Sequence, residues 1–464
     1  MLLEREKKTY RSSNKTHLNA LSFTQRGNRG RAEESVCDGS EYDVAVIGGG
    51  ASGLVAAICA ARKGAKVVLI ERLNRVGKKI LATGNGRCNF SNVNLDINHF
   101  HGKNAKFAES ALEQLDLEKT LDFFEKLGIA YKIEDLGKFF PKSEQATSIL
   151  DVLRYELERL KVEERCNVEV TSITHDEGTF RLACFAAPQK NMTDQSLLPS
   201  LTIKADKIII ATGGKASPNL GSNGSGYNFA KSLGHKIVKP FPVIVQLNLK
   251  ERFVKQIKGV KFKGKASIGV GREILREDKG EILFTDYGIS GPPILQLSRK
   301  AGEQLQNSKH PWLDLDLFPD LTIDKMKELI KKRITLQEEK PLDCNFIGLI
   351  NKRLIPIILK EAKIKDINMP SRKLNDIQIN NIARKLKEWR FEVIGTQPWK
   401  SAQVTAGGID VKDINPNTME SKLIKGLFFA GEIIDIDGDC GGFNLQWAWS
   451  SGFVAGTNVF YKSL

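Results

Sequence analysis

The segment at residues 42–72, YDVAVIGGGASGLVAAICAARKGAKVVLIER, constrains the fold more than any other part of the chain. A short apolar run at 42–47 ends in glycines, which predicts a buried parallel strand. Small apolar residues at 54–61 predict a helix packed closely on a sheet, and 67–70 predicts a second buried strand. The segment therefore predicts a β-α-β unit, as found in doubly wound α/β domains.

Within this unit, residues 48–53 (GGGASG) follow the G-x-G-x-x-G pattern, and Glu71 ends the second predicted strand. In this strand-to-helix context the pattern predicts a dinucleotide site; the alternative is a tight turn without a ligand. Gly48 permits the turn, Gly50 lets backbone approach a pyrophosphate, and Gly53 lets helix and strand pack closely. The helix N–H groups favour the phosphate charge, and the carboxylate of Glu71 can accept hydrogen bonds from ribose hydroxyls.

A second glycine-containing stretch, near the end of the chain, favours the longer cofactor FAD over NAD. Residues 427–431 predict a short strand, and Glu432 stands at its carboxyl end, where a carboxylate can meet ribityl or ribose hydroxyls. GGFNLQ at 441–446 precedes a predicted helix at 447–459, whose first N–H groups can stabilise the negative charge of a reduced flavin. A plain glycine turn before a core helix is the alternative.

Several longer motifs resemble those of one known family. They are GKK at 77–79 with TGNGRCN at 83–89, ATGG at 211–214, GISGPPILQLS at 288–298, and the stretch 402–456. Over residues 41–464 the chain resembles the BaiN-like family of bacterial FAD-dependent flavoproteins, also labelled NAD(P)/FAD-dependent oxidoreductases or the aminoacetone oxidase family. The resemblance implies bound FAD and an α/β fold: a Rossmann-like, glutathione-reductase-type FAD domain interrupted by an inserted β-barrel plus helical domain.

The fingerprint and the resemblance together predict a set of residues beside FAD. In TGNGRCN, Gly84 and Gly86 let backbone approach a ring or a phosphate, while Arg87 can neutralise phosphate or stabilise reduced flavin. Lys78 can neutralise the pyrophosphate. The predicted cofactor-binding residues are Gly48, Gly50, Ala51, Ser52, Gly53, Glu71, Arg72, Lys78, Thr83, Gly84, Asn85, Gly86, Arg87, Cys88, Asn89, Val170, Ala211, Thr212, Gly213, Gly431, Glu432, Gly442, Asn444 and Leu445.

Cysteine and histidine usage favours neither a metal site nor a disulfide framework. The seven cysteines are odd in number and contain no C-x-x-C pair. Cys88 can touch the flavin as a redox thiol with Cys440 as its partner, or it can be a small residue packed in a tight loop, which we favour. His99 and His101 are interpreted as solvated loop side chains rather than metal ligands. We therefore predict no metal.

These motifs predict an enzyme, an FAD-dependent oxidoreductase that transfers a hydride or electron pair between flavin and a small organic substrate. No second G-x-G-x-x-G lies between a strand and a helix, so NADH or NADPH is expected only as a transient donor. The catalytic residues, the substrate and the oligomeric state are not specified by the sequence. Tyr287 and Ser290, in the glycine-proline turn, are tentative substrate-side candidates, and turn packing is the alternative.

The positive charge of the chain is concentrated in two segments. The net charge is +15; residues 1–31 hold eight Lys/Arg against two Glu, and 321–400 hold eighteen Lys/Arg against ten Asp/Glu. Neither segment shows the aromatic interleaving of single-strand nucleic-acid binders, so a small-molecule partner is favoured over nucleic acid. A flavoenzyme that acts on RNA through the basic insert is one alternative, and a non-enzymatic flavin-binding sensor is the other.

Four regions are predicted along the chain. Residues 1–40 are a disordered basic tail, with an organelle transit peptide as the alternative. The FAD-binding domain covers 41–238 and 397–464, and the inserted domain covers 239–396. No apolar run approaches the roughly 18–20 residues of a membrane span, and the start of the chain lacks a secretory core. We therefore expect the cytoplasm and no membrane partner.

Overall fold

The structure is a computed structural model that describes residues 36–186 and 200–460. Most of the predicted tail lies outside these residues. The prediction of disorder was wrong for 36–40, since these residues begin the first strand. In that strand Val36 and Cys37 pair in parallel with Leu201 and Thr202 of a neighbouring strand, so backbone hydrogen bonds order the chain before the fingerprint.

The first part of the chain forms a mainly parallel sheet with helices packed on it. Its elements in chain order are β1 (Val36–Ile47), α1 (Ala51–Arg62), β2 (Val67–Glu71), α2 (Lys78–Ala82), β3 (Ser91–Asn92), β4 (Phe100–His101), α3 (Glu109–Gln114), α4 (Leu117–Lys126), β5 (Tyr131–Glu134), β6 (Lys138–Pro141), α5 (Ala146–Arg159), β7 (Glu163–Cys166), β8 (Val168–Asp176), β9 (Thr179–Ala186), β10 (Ser200–Ile210) and α6 (Ser225–Ser232).

The middle of the chain changes to antiparallel strands and short helices. These elements are β11 (Ile237–Val243), β12 (Leu247–Leu249), β13 (Lys261–Val270), β14 (Glu273–Phe284), β15 (Gly288–Ser290), α7 (Pro292–Gln306), β16 (Trp312–Asp316), α8 (Ile323–Leu336), α9 (Leu342–Asn345), α10 (Ile355–Glu361), α11 (Asp376–Lys387) and β17 (Trp389–Thr396). The last part adds β18 (Val404–Ile409), β19 (Leu427–Phe429), β20 (Asp437–Gly438) and α12 (Phe443–Asn458).

The main sheet explains why the end of the chain belongs with its beginning. Its parallel strands run in the order β7-β2-β1-β10, and β19 pairs in parallel with β10, where Ile208 lies opposite Leu427. β9 and β8 extend the sheet in antiparallel fashion. The chain thus leaves the domain after α6 and returns to the same sheet with β19.

Small residues let the last helix pack closely on the first. Gly452 and Gly456 of α12 lie against α1, where a Cβ at either position would overlap the backbone oxygen of Ser52 or Ala56. Glycine is required there because two helix backbones approach more closely than larger side chains permit. This contact fixes the start of α12 beside the fingerprint turn.

The insert is built around a closed barrel. The strands follow the order β12-β15-β14-β13-β16-β17, and β12 closes the barrel on β17 with Leu247 opposite Thr396. Trp389, Phe284 and Phe391 are buried in its core, with the Trp389 and Phe391 ring centroids 4.9 Å apart. β11 and β18, where the chain enters and leaves the insert, pair with each other.

These features confirm the predicted fold class, a Rossmann-like α/β domain interrupted by a β-barrel plus helical domain. The barrel strands lie inside the predicted insert, although its exact boundaries stay a prediction. Between 346 and 390 the chain forms two α-helices, α10 and α11, and β17 begins at Trp389. Helix α10 ends at Glu361, and Lys363 just beyond it has a left-handed φ of 62°.

Candidate active site

A cavity of about 560 Å³ lies where the fingerprint turn, the TGNGRCN loop and the insert meet. Most of the residues predicted to bind the cofactor line this cavity. They are Gly48, Gly50, Ala51, Ser52, Glu71, Lys78, Thr83, Gly84, Asn85, Arg87, Asn89, Ala211, Thr212, Gly213, Glu432, Gly442, Asn444 and Leu445. Segments far apart in sequence are thus brought to one concave surface.

The remaining predicted residues lie elsewhere. Arg72 and Val170 line a second, smaller cavity of about 40 Å³ that adjoins the fingerprint turn and shares Glu71 with the main one. Gly53 packs inside the domain, where a Cβ would overlap the carbonyl oxygen of Gly48. Outside the lining of both cavities are Gly53, Gly86, Cys88 and Gly431.

The fingerprint turn is held by the strand that follows it. The Gly49 N–H donates to Glu71 Oε2 at 2.8 Å, and the Leu73 N–H donates to Glu71 Oε1 at 2.8 Å. Each carboxylate oxygen has further lone pairs, so Glu71 can order the turn and still accept from a ligand. Gly50 caps α1 without a side-chain hydrogen bond, and a Cβ there would meet nothing within 4 Å. The start of α1 therefore presents free N–H groups to the cavity.

The TGNGRCN loop adopts a left-handed backbone run. Gly84, Asn85 and Gly86 have φ values of 56°, 57° and 84°. Arg87 stacks over the Phe140 ring, with its guanidinium carbon 4.2 Å from the centroid, and it donates to Glu134 Oε1 at 2.9 Å. Arg87 thus lines the cavity with part of its charge already neutralised, which weakens its predicted role against phosphate.

The two candidate redox cysteines differ in environment. Cys88 is fully buried at a φ of 62°, and burial raises the pKa of its thiol to about 12. Cys440 is exposed and lines the cavity. Both are free thiols, and Cys88 lies outside the cavity lining. The interpretation of Cys88 as a packed residue fits this geometry, because a buried thiol with a raised pKa is chemically inert.

Glu432 is engaged by the protein on both oxygens. Lys79 Nζ lies 2.8 Å from Oε2, and the Thr405 N–H donates to Oε1 at 2.6 Å. Lys79 and Thr405 were not among the predicted site residues. The GKK run at 77–79 carried the signal for Lys79, but its pairing with a residue far away in sequence required the fold.

A loop rich in aspartate, residues 435–442 (the aspartate loop), forms the wall of the cavity next to the insert. The Asp439 carboxylate is contacted by His101 Nε2 at 2.8 Å, by His99 Nδ1 at 3.2 Å and by both terminal nitrogens of Arg276 at 2.8 and 2.7 Å. The interpretation of the two histidines as solvated side chains was wrong, because they bind this buried carboxylate. His99 also stacks on Phe443, with ring centroids 4.3 Å apart.

The three carboxyl groups of the aspartate loop differ in the direction of their pKa shifts. Burial raises the pKa of Asp435 to about 6. Burial also raises the pKa of the Asp437 carboxyl, although Arg299 opposes this with Nε 2.8 Å from Oδ2. For Asp439 burial acts in the same direction, but hydrogen bonds from His101 and Arg276 outweigh it and hold the pKa below its usual range.

The insert supplies part of the cavity wall that sequence reasoning missed. Pro292 and Leu295, in the first turn of α7, line the cavity, whereas the tentative candidates Tyr287 and Ser290 do not. Prolines after a glycine are typical of a helix start, so GISGPP contained a signal for this turn. Further lining residues that were not predicted include Arg75, Lys138, Phe140, Ile244, Gln403 and Val404.

The residues present fit FAD. Asn89 Oδ1 and Thr212 Oγ1 are buried on cavity-lining residues and lack a hydrogen-bond partner among the described residues. Bare glycine backbone and the uncapped start of α1 accommodate a diphosphate, and Lys78 and Arg75 add positive charge. The cavity has a volume typical of cofactor sites. Orphaned polar atoms beside a glycine cradle are expected where a polar ligand completes the hydrogen bonding.

Sequence comparison agrees with this geometry. A family model, described as the HI0933-like protein Rossmann domain, matches residues 42–458. The chain belongs to this HI0933-like family. Family membership together with the site makes it an FAD-dependent oxidoreductase, as the sequence predicted.

Individual relatives carry different names. The chain is 37% identical to a 3-dehydro-bile acid delta(4,6)-reductase of Clostridium scindens, with 89% of this chain and 98% of the relative covered. It is 29% identical to a ribosomal RNA dihydrouridine synthase of Escherichia coli, with 90% and 98% covered. A flavocytochrome c3 fumarate reductase structure in an open conformation aligns with a TM-score of 0.46 and 16% identity, covering 91% of this chain and 78% of that one.

Across 36–186 and 200–460, no group of three or more His, Cys, Asp or Glu residues is arranged to hold a metal ion. None of the helices in that part of the chain has both the length and the apolar character that a membrane crossing requires.

Proposed function

We propose that this member of the HI0933-like family reduces an activated carbon–carbon double bond in a small organic substrate, with NADH or NADPH as the electron donor. The observation that carries the proposal is the apolar wall of the cavity, made by Ile244, Pro292, Leu295 and Val404 at the edge of the insert. Small-molecule sites are lined in this way, with few polar groups for orientation. Location in the cytoplasm remains part of the proposal.

The names of the two relatives support a common reaction type. A 3-dehydro-bile acid delta(4,6)-reductase acts on ring double bonds of an oxo acid, and a dihydrouridine synthase makes the reduced form of a uracil ring. In both molecules a double bond conjugated to a carbonyl group accepts a hydride at one carbon and a proton at the other. The same chemistry fits a cavity that combines a cofactor cradle with an apolar wall.

The residues of this chain have distinct tasks in such a reaction. When bound, FAD supplies the hydride. The turn at 48–53, Glu71 and Lys78 bind and orient the cofactor, and the apolar wall excludes water around the substrate. The side chains of Cys440 and Lys138 line the cavity and are the proton donors that we propose for the substrate. Either group can protonate the substrate carbon.

The test uses the purified protein loaded with FAD. NADH and then NADPH are added without oxygen, and the visible flavin spectrum is followed until the cofactor is bleached. A Δ4 3-oxo steroid is then added, with the saturated 3-oxo steroid as the matched control. We expect the unsaturated compound alone to restore the oxidised spectrum. Restoration by neither compound, or equally by both, would contradict the proposal for this acceptor class.

An RNA substrate is the second candidate, and a surface of the insert favours it. Many of the basic residues at 321–400 form ion pairs, such as Arg390 with Asp314 and Lys331 with Asp376. Others in the insert are exposed and form no ion pair within the described residues: Lys325, Lys332, Lys352, Lys360, Lys363, Lys365 and Lys373. Exposed, unpaired lysines suit phosphate contacts, and the relative from Escherichia coli is named for ribosomal RNA.

The RNA candidate is tested by binding and by product. Unmodified ribosomal RNA is incubated with the reduced protein, and nucleosides are analysed by mass spectrometry for dihydrouridine. Binding is measured against salt for the wild type, for Lys360→Glu/Lys363→Glu/Lys365→Glu, and for the control Lys119→Glu/Lys126→Glu in α4. A substrate role predicts dihydrouridine and a shallower salt dependence in the insert variant alone. Equal binding by all three proteins without product removes this candidate.

A further inference from the structure

The aspartate loop buries more negative charge than its own domain neutralises. Asp437 is 1% exposed and Asp439 is 6% exposed, although both lie within three residues of Cys440 in the cavity wall. Burying a carboxylate without a partner costs several kcal/mol, so each buried aspartate requires a cation or several hydrogen bonds.

The required partners come from the insert. Arg276 on β14 binds both carboxylate oxygens of Asp439, and Arg299 on α7 binds both oxygens of Asp437 at 2.8 and 3.2 Å. A third insert residue, Gln296, accepts a hydrogen bond from the Cys440 N–H at 2.8 Å. Side chains of β14 and α7 thus contact Asp437, Asp439 and Cys440, which are three of the four residues 437–440.

The FAD domain holds the same loop from the other side. β20 pairs with β4, and the Asn92 side chain donates to the carbonyl of Gly441 at 2.9 Å. Asn444 accepts from the Gly438 N–H and donates to the Gly438 carbonyl, which joins the loop to the start of α12. The aspartate loop is therefore contacted by residues of both the FAD domain and the insert.

We propose that Arg276 and Arg299 are positioning residues through which the inserted domain fixes the aspartate loop, and with it Cys440 and the glycines before α12, against bound FAD. A buried ion pair adds little net stability compared with apolar packing, but two-point hydrogen bonding fixes geometry. The insert then does more than cover the substrate: it sets the environment of the cofactor. This role holds for any acceptor, because it concerns the wall of the FAD site.

The test uses the whole chain and does not depend on knowing the acceptor. Arg276→Gln removes the charge partner of Asp439, Arg276→Lys keeps the charge but loses the two-point bond, and Gln296→Ala removes one neutral hydrogen bond. The matched control is Arg390→Gln, which breaks another two-point arginine–aspartate pair, with Asp314, on the exposed face of two neighbouring barrel strands. Arg390 does not line the cavity.

Three quantities are measured for each variant. They are the FAD dissociation constant, the visible absorption and circular dichroism of bound FAD, and the rate at which iodoacetamide alkylates Cys440, mapped by mass spectrometry. Cys344, a free thiol in the insert, serves as the internal reference. We expect Arg276→Gln to weaken FAD binding about tenfold, to change the dichroism of the bound flavin and to speed Cys440 alkylation, with Arg276→Lys intermediate.

The outcomes separate positioning from general stability. The control should match the wild type in all three quantities, even if its unfolding midpoint falls. If Arg276→Gln does not fold, Gln296→Ala decides, since it leaves no unpaired charge and should still accelerate Cys440 alkylation. Variants that match the control in cofactor affinity, dichroism and alkylation would overturn the proposal. A protein that behaves as expected here but fails with every acceptor would refute only the proposed reaction.

Discussion

Two loops that line the same cavity are held in place in different ways. The fingerprint turn at 48–53 is ordered by its own β-α-β unit: Glu71 lies on the next strand and accepts from Gly49. The aspartate loop is ordered by Arg276, Arg299 and histidines from separate parts of the chain. The comparison teaches that a site can combine one wall built by local backbone geometry with another built by long-range charge pairing.

The largest effect on stability should come from adding a methyl group at Gly53, where the fingerprint turn is most closely packed. In Gly53→Ala the new Cβ overlaps the Gly48 carbonyl oxygen, so α1 must move away from β1. We expect a loss of about 3 to 4 kcal/mol in the free energy of unfolding, measured by urea denaturation of the FAD-free protein. Gly50→Ala is the control: its Cβ meets no atom within 4 Å, so it should affect FAD binding but not unfolding. Equal stabilities would show that the turn is not locally constrained.

Because Asp435 in the aspartate loop is buried, the stability of the protein should depend on pH. The folded-state pKa of Asp435, about 6, lies above its ordinary value of 3.8, so the folded protein binds more protons between these values. The free energy of unfolding should therefore decrease by about 2 kcal/mol as pH rises from 4 to 6 through this group. Asp435→Asn should remove that contribution, and urea denaturation of both proteins across this range measures it. Parallel pH profiles would mean that Asp435 is not desolvated.

Reversing the charge at Glu71 tests the role of the fingerprint turn in FAD binding. Glu71→Arg removes the acceptor for the Gly49 and Leu73 N–H groups and places positive charge where ribose hydroxyls are expected. We expect FAD affinity to fall by about 2 kcal/mol, or roughly thirtyfold, measured by titration of the FAD-free protein. Glu158→Arg in α5 is the matched control, because this exposed residue undergoes the same charge reversal and lines neither cavity. Full FAD occupancy in Glu71→Arg would count against the fingerprint register.

The smallest effect is expected at Cys88. This thiol is fully buried and lies outside the cavity lining. Cys88→Ala should change the FAD dissociation constant by less than about twofold and leave the rate of flavin bleaching by the nicotinamide donor unchanged. Stopped-flow absorbance without oxygen measures the latter. A large loss of bleaching rate would restore the redox-thiol hypothesis for Cys88.

Sequence reasoning succeeded where short-range geometry governs the structure. The order of strand, glycine turn, helix and strand at 42–72 is encoded by residues close in sequence, and most of the fingerprint and TGNGRCN residues line the cavity. It failed where partners are distant: His99 and His101 gave no sign that a carboxylate more than 330 residues away would bind them. Periodicity reports which face of an element is buried, but it does not report which element covers that face.

The amino-acid sequence alone predicts an interrupted dinucleotide-binding α/β domain, because glycine positions and apolar periodicity act within single elements. The β-barrel and helical character of the insert is implied by the family resemblance. Tertiary structure decides which residues of the insert reach the cavity and the aspartate loop. The closed barrel and the pairing of β19 with β10 bring α7 to the cavity wall and place Arg276 of β14 against the aspartate loop. The physical reason is that ion pairs and cavities depend on where distant segments meet, and that meeting is set by packing of the whole chain rather than by any one segment.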